Sequence, residues 1–408
     1  MVLTRGRSLA LLTCLAAPCA AQAQQIDTTA PVLDLPQPGM DAQGLPAGPF
    51  QLYPSAEVRV GYDSNIYAEP DDPVDDGTVT FTPRLEARLK QDAASLSLTG
   101  EASLRRYFNR SSENSNAGYV DLRGSYAPSE SDRITSRTGW RRAIEDRGDP
   151  EARDTRSTGP RQINILDTEL GWNHDGRQTH FSVRGSAARF DYRAPVDSDR
   201  DLNNYAVRAS FGYDVAANLS AVITGFYTRR DYWRPVDFSG VNRDADTYGA
   251  RAGVRLADTG LLRGEATVGV FRFSPDDPSL RSRTGVSAEA SLTYLPSRRI
   301  AFTLDAFNGD VATVRNGAQS RTDTRIRFGI QAEARKDLRF QASAYYRHSD
   351  FVGTDISERT IGVTGEAEYR INRYLSLAVT ANYADRQSDD PTQPFERTRV
   401  GIELRSRF

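Results

Sequence analysis

A repeated alternation of apolar and polar residues constrains this sequence most. From residue 55 to the end of the chain, segments of about 10 to 15 residues carry apolar side chains at every second position. In one of them Tyr248 and Val254 fall on one face and Arg251 on the other. Side chains of a β-strand point alternately to its two faces, so each segment is predicted to be a strand with one apolar and one charged face. A helix would space its apolar residues three and four apart.

The connectors between the predicted strands alternate between short and long. Short ones, such as 175–177 and 336–337, have the length and turn residues of β-hairpins, whereas long ones include 147–161 and 233–243. This alternation predicts an all-β fold, a closed antiparallel transmembrane β-barrel of about 18 strands with short periplasmic turns and long extracellular loops. The predicted strands are 55–64, 77–90, 94–108, 116–127, 132–146, 162–174, 178–192, 202–214, 218–232, 244–257, 262–274, 282–295, 299–310, 321–335, 338–350, 357–370, 374–386 and 396–408.

The last predicted strand, 396–408, carries the same pattern to the final residue. Leu404 and Phe408 fall on its apolar face, and Glu403 falls on its charged face. A strand that closes a barrel must place an apolar row against lipid, with an aromatic residue at the interface. Phe408 is therefore predicted to face lipid and to be the assembly signal that the barrel-assembly machinery recognises. An even number of strands would place both ends of the barrel on the short-turn side.

The first part of the chain is predicted to be an export signal followed by an irregular arm. Residues 1–23 have an arginine-containing start, a short apolar stretch and a small-residue cleavage site, the features of a signal peptide. Residues 24–54 are rich in proline and are predicted to form a periplasmic N-terminal arm, either a disordered linker or a plug or partner-docking segment. Residues 55–408 are the predicted barrel. An exported chain without a membrane helix is expected in the bacterial cell outer membrane, where a closed barrel can span.

Cysteine and histidine, which serve many catalytic and metal sites, form no constellation in this sequence. Both cysteines, Cys14 and Cys19, lie in the predicted signal peptide, so the mature chain should have no thiolate chemistry and no disulfide. The histidines, His174, His180 and His348, have no zinc-binding spacing. The sequence also offers no phosphate-binding glycine loop and no nucleophile elbow. It therefore predicts a protein that is not an enzyme and needs no cofactor or metal; an integral-membrane hydrolase is the least favoured alternative.

The composition agrees with a barrel whose interior is wet. Hydrophobic residues make up 38% of the sequence, below the roughly 45–50% of an average globular chain. A net charge of −2 gives no electrostatic reason to expect nucleic-acid binding. The long loops are rich in aspartate and are predicted to be a solvated surface beside outer-membrane lipid and lipopolysaccharide, bridged by divalent cations. A calcium loop at 71–77 is less favoured because the full ligand pattern is missing.

Arginine dominates the predicted charged face of the strands. Guanidinium groups offer fork-shaped donors to carboxylate, phosphate and sugar oxygens, and a barrel of this size can hold water. Two interpretations stay open: a path for an anionic or polyhydroxylated chain, or cross-strand Arg–Glu ladders that hold the wall rigid. Aromatic residues near strand ends, such as Tyr62, Trp140, Phe190 and Tyr232, are predicted to form two girdles at the membrane interfaces. The predicted lumen-lining residues are Arg84, Arg88, Arg105, Arg137, Arg184, Arg208, Arg251, Arg255, Arg325, Arg327, Arg399 and Arg405.

The first predicted strand carries a family resemblance. The run Gly61, Tyr62, Asp63, Ser64 and Asn65, followed by Ile66 and Tyr67, resembles the opening strand of the putative beta-barrel porin 2 family. The resemblance extends in style over residues 55–408 and includes the terminal phenylalanine. Glycine inside a strand indicates a bulge or a close backbone approach, and Asp-Ser-Asn suits the turn into the first long loop.

The resemblance implies a function that the residues alone do not. Members of this family accompany exopolysaccharide or capsule biosynthesis, which implies an outer-membrane conduit for export of an exopolysaccharide or capsular polysaccharide. It also implies a periplasmic polysaccharide export protein as partner and no catalytic residues. The alternative is a diffusive porin for small sugars or anions. Neither alternative involves covalent chemistry or nucleic acid.

Overall fold

The computed structural model describes residues 32, 37, 39–153, 156, 158–257, 260–315 and 317–408. The predicted signal peptide, 1–23, and the first residues of the predicted arm lie outside this part. Short 3-10 helices occur at Ser111–Glu113 and Pro195–Arg200. The strands are β1 Leu45–Ala47, β2 Phe50–Asp63, β3 Asp76–Lys90, β4 Ala94–Tyr107, β5 Ser115–Tyr126, β6 Asp132–Ile144, β7 Gln162–Asp175, β8 Thr179–Tyr192, β9 Leu202–Ala216, β10 Leu219–Tyr232, β11 Ala245–Leu256, β12 Leu262–Pro275, β13 Arg283–Ser297, β14 Ile300–Val311, β15 Ser320–Arg335, β16 Leu338–Val352, β17 Ser357–Arg370, β18 Leu375–Ser388 and β19 Phe395–Arg407.

Strands β2–β19 form one closed antiparallel ring. Each pairs with the next along the chain, and β19 returns to pair with β2, with Gly401 opposite Gly61. The prediction of a closed antiparallel barrel of 18 strands is confirmed, and each predicted strand coincides with one of them. Short connectors lie at one end of the ring, the short-turn end, and long connectors at the other, the long-loop end. β1 is a three-residue addition that pairs only with the start of β2.

The first barrel strand begins earlier than the sequence indicated. It starts at Phe50, whereas the proline at position 54 suggested a break and a start at residue 55. Pro54 is tolerated because it lies at the rim, where β19 has ended and its last register pair is Arg407 with Ser55. No amide donor is needed on that side, and the carbonyl oxygen of Pro54 accepts the amide of Phe408 at 3.1 Å.

The two faces of the barrel wall differ sharply in chemistry. Leu404 and Phe408 are 47% and 46% exposed on the outside, whereas Glu403, next to Leu404, is fully buried on the inside. The predicted orientation of the last strand is therefore confirmed. The outer surface carries an apolar belt. It suits lipid because the strands of a closed ring pair their backbone donors and acceptors with one another. No helix of the described residues is long and apolar enough to cross a membrane.

The aromatic residues divide between the two faces, so the girdle prediction is only partly correct. Tyr62 and Trp140 are exposed on the outer surface as predicted, and Phe408 packs on Tyr374 with ring centroids 5.5 Å apart. Another group is buried inside, at the long-loop end of its strands, because the ring there packs against loops rather than enclosing water. The members of this inward group are Phe190, Tyr192, Tyr232, Phe271 and Phe273.

Candidate functional site: the lumen and the loops that cross it

The inner wall is built from arginines interleaved with carboxylates. On β6, Arg137 donates to Asp121 at 2.6 Å and to Asp167 at 2.7 Å, joining three neighbouring strands. On β19, Arg405 donates to Glu366 at 2.8 and 3.0 Å. Ion pairs of this kind contain most of the predicted lumen arginines, namely Arg84, Arg88, Arg137, Arg184, Arg208, Arg251, Arg255, Arg399 and Arg405.

Three predicted arginines have a different environment. Arg325 lies over the ring of Phe307, with the guanidinium carbon 4.5 Å from the ring centroid, and Arg327 lies 6.0 Å from the centroid of Tyr345. Arg105 lies on the inward face of β4, in register with Ser115 of β5. The ladder interpretation thus describes most of the wall, and Arg325 and Arg327 of β15 stand apart from it.

A loop between β6 and β7 crosses the lumen at the long-loop end. Within it, residues 145–153 are called the crossing loop. Its Glu151 accepts a bond from Arg321 of β15 at 2.7 Å. β15 lies eight strands from β7 and nine from β6 around a ring of 18, so this contact joins opposite walls. Both side chains are buried.

The crossing loop is also fastened along its length to β18 and β19. Asp146 accepts bonds from Arg397 and Arg399, each at 3.1 Å. Arg386 of β18 donates to the carbonyl oxygen of Gly148 at 3.2 Å. Gly148 lies against the ring of Phe395, where an added Cβ would be only 2.8 Å from the nearest ring atom. A side chain at this position would force the loop or the Phe395 ring to shift.

A second loop, between β14 and β15, meets the crossing loop from the other side. It comprises residues 312–319 and is called the facing loop. Arg315 donates to the carbonyl oxygen of Pro150 at 2.7 Å, to Glu358 at 2.5 Å and to Asp390 at 3.1 Å. Val314 packs on an inward apolar patch at the ends of β7–β10, formed by Ile163, Ile165, Phe190, Tyr192, Leu202 and Tyr232. The two loops together span the lumen from wall to wall.

Burial and neighbouring charges shift the pKa values of several carboxyl groups in the loops at this end. Burial acts to raise the pKa of Asp146, but Arg399 and Arg397 hold it well below its usual range. Burial raises the pKa of Asp149. For Asp201, between the short helix and β9, burial and the charges of Asp191, Asp199 and Asp197 raise the pKa to about 6, although its side chain accepts the amide of Tyr192.

The raised pKa of Asp201 predicts a pH dependence of stability. The folded protein holds a proton there at a pH where the unfolded chain has released it, so the free energy of unfolding should increase as the pH falls from about 7 to about 4. Asp201→Asn should mimic the protonated state and lose this increase while keeping the bond to Tyr192. The measurement is the midpoint of heat unfolding at pH 7.5 and pH 5 in detergent. An equal gain in wild type and Asp201→Asn would reject the assignment.

The short-turn end holds part of the predicted arm. Val32 is 1% exposed, and the side chain of Gln37 contacts Glu333 on the inner face of β15. Asp41 lies 3.8 Å from Arg370 of β17. These contacts place Gln37 and Asp41 against the lumen wall, a position suited to a plug.

The motif that carries the family resemblance fastens the closing strand. Asp63 accepts bonds from Arg397 of β19 at 2.9 and 2.6 Å, and both side chains are buried. The hydroxyl of Ser64 accepts the amide of Thr398 at 2.8 Å, and Asn65 donates to the carbonyl oxygen of Glu396 at 3.1 Å. An added Cβ at Gly61 would lie 3.0 Å from the carbonyl oxygen of Val400. The motif thus joins β2 and β19, the first and last strands of the barrel ring.

Sequence reasoning missed the two loops and the apolar patch beneath them. The loops were interpreted only as a solvated acidic surface, yet Glu151 and Asp149 are buried in the lumen. A signal was present, because Ile163 and Ile165 fall on the same strand face as the charged residues of β7. Apolar residues on the wet face indicate that something covers them. No group of three or more metal-ligating side chains occurs within the described ranges.

The comparison with protein families agrees with this architecture. A sequence model of the family described as "Putative beta-barrel porin 2" matches residues 37–408. A comparison with curated proteins gave no match. Among solved structures, the outer membrane protein OpdK from Pseudomonas aeruginosa has a TM-score of 0.46 and 12% identity, covering 88% of this chain and 99% of that one. Acinetobacter baumannii OccAB4 has a TM-score of 0.45 and 10% identity, covering 88% and 98%.

Proposed function

The chain belongs to the putative beta-barrel porin 2 family, and from that premise we propose that it is an outer-membrane channel for export of an exopolysaccharide or capsular polysaccharide. The short-turn end would face the periplasm and the long-loop end the cell exterior. The polymer would pass through the lumen without covalent chemistry. In this proposal the protein is not an enzyme and uses no cofactor.

One observation carries the proposal beyond a generic pore: the lumen is spanned by a loop held with breakable contacts. The crossing loop reaches the opposite wall through the pair between Glu151 and Arg321. A loop that spans the path restricts free diffusion, and an exporter must stay shut between transport events. The contacts are ion pairs and single hydrogen bonds, which a passing chain rich in hydroxyl groups can replace.

The identity of the cargo rests on the family resemblance and on the wall chemistry. Arginine and carboxylate side chains project inward throughout, which suits a hydrated, polyhydroxylated chain. The diffusive porin for small sugars or anions is the competing function. It predicts an open lumen, and the experiment below separates the two.

Three partners follow from the proposal. The described part of the arm, with Gln37 and Asp41 at the short-turn end, is where a periplasmic polysaccharide export protein would engage and displace the segment. Lipopolysaccharide and outer-membrane lipid would surround the apolar belt. Phe408, exposed at the end of β19, remains the proposed signal for the barrel-assembly machinery.

Deleting the gene in the native bacterium should abolish extracellular polymer while polymer accumulates in the periplasm. Re-expression of the full chain should restore secretion. The measurement is uronic-acid and neutral-sugar assay of the culture fluid and of the periplasmic fraction. Normal extracellular polymer in the deletion strain, together with a steady conductance that small sugars block in planar bilayers, would replace export with diffusion.

A further inference from the structure

Two arginines of neighbouring strands face each other on the inner wall. Arg325 of β15 is the direct register partner of Arg347 of β16. Like charges placed opposite each other on neighbouring strands destabilise a sheet, so this pair departs from the ladder pattern of the rest of the wall. A local departure of this kind is expected where a site serves a ligand.

The donors of this pair are poorly satisfied by the protein. Within the described part of the chain, Arg325 Nε and Nη2 and Arg347 Nε are buried and have no hydrogen-bond acceptor. Among the described residues, the carboxylate that lies within 4 Å of Arg347 is that of Asp323, at 3.7 Å, beyond a good hydrogen bond. Asp323 is already committed, since it accepts a bond from Arg321 at 3.3 Å and one from Ser349 at 2.8 Å.

Aromatic rings frame the arginine pair. Arg325 is held over Phe307 of β14. The ring of Tyr345, two residues before Arg347, lies over Gly362 of β17, with its centroid 6.0 Å from the guanidinium carbon of Arg327. Gly362 permits this, because an added Cβ there would lie 2.3 Å from the Tyr345 ring. The tyrosine therefore lies along the wall, with a ring face toward the guanidinium group of Arg327. An aromatic face next to charged donors matches a sugar, whose ring has an apolar face and whose substituents are polar.

We propose that Arg325 and Arg347, with Arg327 and Tyr345, form a binding site for the carboxylate of an acidic sugar in the transported polymer. Paired guanidinium groups can bind both oxygens of a carboxylate, and Tyr345 supports the sugar ring. The site lies four residues along β15 from Arg321, which holds the crossing loop. An acidic sugar bound there would arrive directly beneath the loop. The inference rests on the proposed function for its biological meaning, but not for its test.

The test is calorimetric binding to the purified full-length barrel in detergent. Trigalacturonate should bind at least tenfold more tightly than maltotriose, its uncharged counterpart. Arg325→Gln/Arg347→Gln should lose at least tenfold of the trigalacturonate affinity and leave maltotriose unchanged. The matched control is Arg123→Gln/Arg141→Gln, which removes the same charge from the opposite wall, where each arginine has an aspartate neighbour. It should keep most of the affinity.

The outcomes separate the site from the export function. Equal binding of the charged and uncharged sugars by the wild type would overturn the site, even if the double variant failed to assemble. Equal loss in both double variants would also overturn it, since the effect would then be general lumen charge. Tight uronate binding with normal secretion in the deletion strain would keep the site and reject export.

Discussion

A barrel in which residues 147–159 are replaced by a short Gly-Ser linker should conduct ions several-fold better than the wild type in planar bilayers. The replacement removes Glu151, the partner of Arg321, and the carbonyl oxygens that Arg386 and Arg315 bind. The lumen then lacks the segment that joins its opposite walls, and conductance rises with the open cross-section. Cells that carry this variant should also become sensitive to large antibiotics that the outer membrane normally excludes.

A matched loop replacement tests whether the effect belongs to the crossing loop. Residues 276–281, between β12 and β13, form another long connector, whose Asp277 accepts the amide of Asn242 on the next loop. The same linker placed there should leave conductance near the wild-type level. If both replacements raised conductance equally, or neither did, the crossing loop would not be what restricts the lumen.

The second large effect is expected at the seam between β2 and β19. Asp63→Ala would leave Arg397 buried with only Asp146, at 3.1 Å, as a counter-charge. Removing one partner of a buried ion pair costs about 3–5 kcal/mol, and the lower end applies here because one carboxylate remains. The free energy of unfolding in urea, measured on barrels in lipid vesicles, should therefore fall by about 3 kcal/mol.

Two further variants decide the cause of that loss. Asp63→Ala/Arg397→Met removes both charges and should recover part of the stability, because no unpaired charge stays buried. Glu57→Ala, on the same strand, is the matched control. Its partner Arg405 keeps Glu366 and Glu403, so the loss should be about 1 kcal/mol. If the double variant were as unstable as Asp63→Ala, the loss of stability would come from lost packing and not from an unpaired charge.

Much of the wall could be predicted because its pattern is local. Lipid outside and water inside impose a period of two on each strand, and this period can be seen within ten residues of sequence. The eighteen strands, the closing pair and the outward position of Phe408 all follow from it. Strand ends were less certain at the rim, as Pro54 shows, because a missing amide donor matters only where a neighbouring strand needs it.

The sequence also identified arginine as the chemistry of the lumen, without showing which arginines are neutralised. Arg137 and Arg325 look alike in their strands. One lies between Asp121 and Asp167, and the other faces Arg347. The difference depends on register between strands, which alternation within a single strand does not encode.

By itself, then, the sequence determined the barrel, its faces and its strand number, because each is repeated along the chain at short range. Only the tertiary structure decided that the lumen is crossed. The contact of Glu151 with Arg321 joins residues 170 positions apart on opposite walls. The amino-acid composition of a long loop is the same whether its aspartate and glutamate side chains contact water or a buried arginine. Their environment is set by ring closure, which brings the two walls within reach of one loop.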